Sequence, residues 1–103
     1  MTWNELVRAV TSGSSNLTAG TMFGMPCLKG PDGKVVAALW RDGAITIKLV
    51  DETARSEALR LPGAEIGSHA YDPRRQMRQW VHIPEAQSGE WLRLVRRALR
   101  TPH

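Results

Sequence analysis

The chain has a single cysteine, so no disulfide can form within it, and one thiol cannot supply a cysteine-based zinc site. No apolar run approaches the roughly 18 residues needed to cross a bilayer. The N-terminal Met1-Thr2-Trp3-Asn4-Glu5 lacks the basic-then-apolar pattern of a secretory signal. Internal repeats and low-complexity tracts are missing too. These absences lead to the expectation of a soluble, cytoplasmic protein with no membrane contact. What is present is 103 residues, 42% of them apolar, enough for one core and one domain over residues 1–103.

The net charge of +4 is unevenly placed. Residues 1–73 hold seven Lys/Arg and eight Asp/Glu, whereas residues 74–103 hold seven Arg against Glu85 and Glu90. A basic last third is the footprint of an acidic partner or of nucleic acid, although such runs usually only solvate a helix face.

Thr2-Trp3-Asn4-Glu5 fits a capping box and opens a helix over residues 2–11, with Trp3, Leu6, Val7 and Val10 on one side. Ser12-Gly13-Ser14-Ser15-Asn16 ends it. Three strands are expected next: Thr21 to Leu28, Val35 to Trp40, and Ile45 to Val50. Asp-Gly turns at Asp32-Gly33 and Asp42-Gly43 join them into an antiparallel meander. Asp51 and Glu52 start a second helix that Pro62-Gly63 stops. Ala64 to Met77 reads as a loop with a short strand. Gln79 to Ile83 is a strand with either Val81 and Ile83 or Trp80 and His82 turned inward. The last helix runs from about Ser88 to Arg100. Trp91, Leu92, Val95, Ala98 and Leu99 form its apolar stripe, and Arg93, Arg96, Arg97 and Arg100 share another face. Hairpins dominate, so the fold class is α+β, a mainly antiparallel sheet with helices on one face.

Several landmarks in order resemble the N-terminal domain of the TfoX/Sxy family. They are Met22-Phe23-Gly24-Met25-Pro26-Cys27, Val35 to Leu39, Ile47-Lys48-Leu49, Leu59 to Ala64, Arg75 to Val81, and Trp91 to Leu99. The resemblance covers about residues 18–100. Met25 stands where the family usually has a second glycine, and Gln76 where it usually has proline. The resemblance implies a two-layer fold similar to secretion-chaperone-like and YjbR-like domains, with no established activity and no cofactor. It also implies a link to transcriptional regulation and competence. Family members often carry a second, helical domain.

The signature Met22, Phe23 and Gly24 has two readings. The expected one packs Met22 and Phe23 in the core and lets Gly24 permit a bulge; the other makes them an adaptable binding surface. Lys48, Tyr71, Arg75, Arg78 and Trp80 mix cations with aromatics. Such a mixture can stack bases and neutralise phosphates, or hold a loop to the sheet by cation–π contact. Together with Arg93, Arg96, Arg97 and Arg100 they are the candidate binding surface. Cys27 is expected to be a buried, inert thiol. His69, Asp72, His82 and His103 match no ligand spacing, so no metal is expected. Gly30-Pro31-Asp32-Gly33-Lys34 leads into a strand and is a hairpin turn, not a phosphate loop. The reading is a non-catalytic binding or regulatory domain without cofactors, monomeric or homodimeric, with a protein partner. The alternatives are weak, sequence-independent DNA binding by the basic last third and, disfavoured, an enzyme with an unrecognised site.

Overall fold

Thr2 sets the first helix as its sequence predicts. The Thr2 hydroxyl accepts from the Glu5 amide at 3.1 Å, and the Glu5 carboxylate accepts from the Thr2 amide at 3.0 Å. Helix α1 spans Trp3–Thr11 and buries Leu6 and Val10. The structure, a computed structural model, describes residues 1–12, 17–69 and 71–100, the last by its backbone only. The expected Gly13 to Asn16 link, His103 and the Arg100 side chain lie outside the described residues.

Strands β1 (Thr18–Met22), β2 (Met25–Lys29), β3 (Val35–Leu39) and β4 (Ile45–Lys48) follow, then α2 (Glu52–Leu59). Strands β5 (Glu65–Ser68) and β6 (Gln76–Ile83) come next. A 3-10 turn over Glu85–Glu90 leads into α3 (Trp91–Arg100). The six strands form one sheet in the order β1-β2-β3-β4-β6-β5, with every neighbouring pair antiparallel. The α+β class with helices on one face is therefore correct.

Three expectations need correction. The single strand over Thr21 to Leu28 is two strands, reversed at Phe23-Gly24, so the meander has four strands. Both turn residues have positive φ, 52° and 76°, as a two-residue type I′ hairpin demands. Strand β6 begins at Gln76 because it pairs first with β5 and only then with β4. The last α-helix starts at Trp91, since Gln87 leaves helical geometry.

Period-two alternation settles which face is covered. Ile45, Ile47 and Leu49 of the β4 segment join Val81 and Ile83 under the helices, where Ala54, Ala58, Trp91, Leu94, Val95 and Ala98 complete the core. Leu94, not Leu99, belongs to the apolar stripe of α3. Trp91, Leu94, Val95 and Ala98 are spaced i, i+3, i+4, i+7, and Leu99 falls beyond that stripe at 41% exposure. The Trp91 indole N–H is buried with no acceptor among the described residues. No helix among those residues is long and apolar enough to cross a membrane.

Candidate functional site

Among the described residues the opposite face of the sheet carries no helix, yet its centre is not bare. Cys27, Ala38, Thr46 and His82 form one cross-strand row by register. The first three of them are buried. Above this row lies a small apolar slot of about 70 Å³. Trp40, Trp80, Phe23 and His69 wall it with rings, Met22 and Met77 with thioethers, and Thr46 and Ser68 with hydroxyls.

Two backbone devices build the slot. The first is the β1–β2 turn, which places Phe23 at a hairpin tip with 48% of its surface exposed. The core packing expected for Met22 and Phe23 is thus wrong, since Met22 lines the slot and lies outside the core under the helices. Met22 and Met25 pair across the turn, so the intervening dipeptide must reverse the chain and cannot reach the core. The second device is the β5–β6 connection. The His69 amide donates to the Arg75 carbonyl at 2.9 Å, and the Asp72 carboxylate accepts from the Arg74 amide at 3.1 Å. This fold brings Tyr71 edge-on to Phe23 at 4.9 Å between centroids, with His69 5.8 Å from the same ring. Gly67 permits the close approach of β5. A β-carbon there would lie 3.0 Å from Trp80 Cβ and 3.1 Å from Thr46 Oγ1.

The candidate residues named from sequence divide into two groups. Trp80 lines the slot, and Lys48 stands directly opposite it in the β4–β6 register, on the same face as Thr46. Tyr71 is 67% exposed against Phe23. The Arg75 carbonyl closes the loop from His69, and the exposed Arg78 follows Met77 in sequence. The arginines of α3 sit elsewhere and are largely engaged. Arg93 donates to Glu90 at 2.8 Å, and Arg97 donates to Glu57 and pairs with Asp51 at 3.7 Å. Arg96 is exposed. Trp40, Thr46, Ser68, His69 and Met77 line the slot but are not among the residues that sequence places in a binding surface. The one available signal was Phe-Gly flanked by Met22 and Met25, a turn dipeptide with glycine at its second position.

Cys27 is buried on the helix-free face but does not line the slot. Burial pushes its thiol up, countered only in part by the charge of Lys29. The His82 ring pairs with Asp42 at 2.9 Å and meets Trp40 edge-on at 5.9 Å. Burial acts to raise the Asp42 carboxyl, but the Ala44 amide and the His82 ring outweigh it and hold the group below its ordinary value. Among the described residues no three His, Cys, Asp or Glu side chains converge as metal ligands. His69 faces the slot, His82 faces Asp42, and Asp72 holds its own loop. In comparisons with known proteins, no family model, no curated protein and no solved structure matches the chain.

Proposed function

We propose that this chain is a non-catalytic binding domain whose working surface is the helix-free face of the sheet. Phe23 carries the reading. A left-handed conformation costs a non-glycine residue about 1–2 kcal/mol, and Asn or Gly fills this turn position more cheaply. A half-exposed phenylalanine there is a poor choice for folding and a good one for presenting a ring beside an apolar slot. Lys48, opposite Trp80 in the sheet register, and the exposed Arg75 and Arg78, next in sequence to the Met77 and Trp80 segment, favour a ligand with negative charge beside its apolar group. The resemblance to the TfoX/Sxy N-terminal domain suggests transcriptional regulation or competence as the setting for such binding. A buried Cys27 outside the slot supports binding over nucleophilic catalysis.

Methionine methyl resonances test the proposal. Met22 and Met77 line the slot, while Met1 lies at the N-terminus. Titration with phenol, a single small ring, shifts the Met22 and Met77 methyl signals in a saturable way and leaves Met1 unmoved. Equal drift of every methyl, or none at Met22 and Met77, contradicts it.

A further inference from the structure

We infer that the occupant of this face is a single strand of nucleic acid, with the edge of one unpaired base entering the slot and adjacent phosphates meeting Lys48, Arg75 and Arg78. The inference rests on the helix-free face being the working surface.

The lining supplies the first reason. Four of the slot's side chains are rings, Tyr71 extends the series outward, and the remaining walls are thioethers and two hydroxyls. Ring walls favour a flat π-face and tolerate any base, which is how sequence-tolerant single-strand binders work. The volume supplies the second. A closed cavity that takes benzene is about 150 Å³, so the roughly 70 Å³ here admits part of one ring entering from solvent. That suits the edge of a pyrimidine more than a purine.

Charge supplies the third reason. Lys48, Arg75 and Arg78 form no ion pair among the described residues, whereas Arg93 and Arg97 of α3 are held by carboxylates. The acids nearby are Asp42, which engages His82, Asp72, which holds its own loop, and Glu65, opposite His82 on the edge strand. None lines the slot. Duplex bases keep their faces stacked and offer only edges, so this site requires an unpaired base. An extended acidic peptide would add main-chain bonds along an edge strand. The slot instead draws on residues from β1, β4, β5, β6 and three connections, half of them rings, and follows no single strand edge.

Fluorescence anisotropy with labelled dT12, rU12 and a 12-base-pair duplex tests this. The duplex should bind at least tenfold more weakly than dT12 at low salt. Phe23→Asn should weaken dT12 binding roughly 5- to 100-fold, as loss of one base–aromatic stack does. Three neutralised phosphates give a log–log salt slope of about −2 for a single strand, and Lys48→Gln should lower its magnitude by about 0.7. Changing Arg93, Arg96 and Arg97 together to Gln should leave affinity and slope unchanged. Equal affinity for dT12 and rU12 supports readout of base and phosphate alone; preference for rU12 supports it with a 2′-hydroxyl contact. Duplex binding as tight as dT12, or loss of binding through the α3 triple variant with Phe23→Asn neutral, overturns the inference. So does absence of oligonucleotide binding while phenol still moves Met22 and Met77, which leaves the binding face standing and makes an acidic peptide the next ligand to try. If phenol moves nothing, the face itself is wrong.

Discussion

Access decides what a reactive side chain can do. Cys27 is 1% exposed, and burial raises its thiol, so thiolate is scarce at neutral pH. Native protein should react with a thiol reagent at least about a hundredfold more slowly than unfolded protein; comparable rates would place Cys27 at the surface. Asp42 behaves oppositely. Its folded-state pKa is depressed, so its contribution to stability is present above the ordinary carboxylate range and is lost as pH falls through the depressed value. Asp42→Asn keeps a side-chain oxygen for the Ala44 amide and removes the charge facing His82. At 59% side-chain exposure the loss at neutral pH should stay below about 1 kcal/mol. The gap between wild-type and variant melting midpoints should narrow as pH falls below 3.8, the ordinary value of this carboxyl. Burial of Cys27 was legible because it sits in an apolar run. The Asp42–His82 pair was not, because the two residues are 40 apart in sequence and only the register aligns their strands.

Helix α3 and strand β6 show what an element adds. The buried face of α3 is centred on Trp91, whose truncation to Ala should cost about 3–5 kcal/mol. Trp91→Phe should cost less than half of that, since it keeps most of the volume and removes the buried N–H that lacks an acceptor. Thermal unfolding of the two variants checks this, and an unchanged midpoint for Trp91→Ala would remove the helix from the core. The arginine face looked like a phosphate-binding row in sequence because Arg93, Arg96 and Arg97 are neighbours on a helix. Tertiary packing against α2 supplied Glu57 and Asp51, which no local pattern announces. In β6 the alternation of Trp80-Val81-His82-Ile83 is apolar on both sides, so periodicity could not choose the inward pair. The helices chose Val81 and Ile83, and the slot took Trp80. Gly67→Ala should disturb Trp80 through a contact of about 3.0 Å and change its fluorescence without unfolding the sheet. An unaltered emission spectrum would show that the slot wall does not depend on that approach.

The whole molecule divides its apolar residues between two faces with different purposes. The larger share fills the core under the helices, and that partition was readable from hairpin turns and helical stripes. The smaller share, Met22, Phe23, Trp40, Met77 and Trp80, gathers on the other face from β1, β6 and the β1–β2 and β3–β4 connections. Sequence could not assemble it, because a non-glycine residue at positive φ has no signature of its own, and Phe23 reads as one more core residue in an apolar run. The melting midpoint of Phe23→Asn tests this division most directly. Relief of left-handed strain, about 1–2 kcal/mol, should offset most of the lost ring contact with Tyr71, about 0.5–1.5 kcal/mol, and the modest burial of a half-exposed ring. The midpoint should therefore stay within about 8 °C of wild type, a change of roughly 1 kcal/mol, while phenol no longer shifts the Met22 and Met77 methyls. A fall of about 12 °C or more, as loss of a core phenylalanine worth about 3–5 kcal/mol would give, would make Phe23 a packing residue and contradict a binding face organised around it.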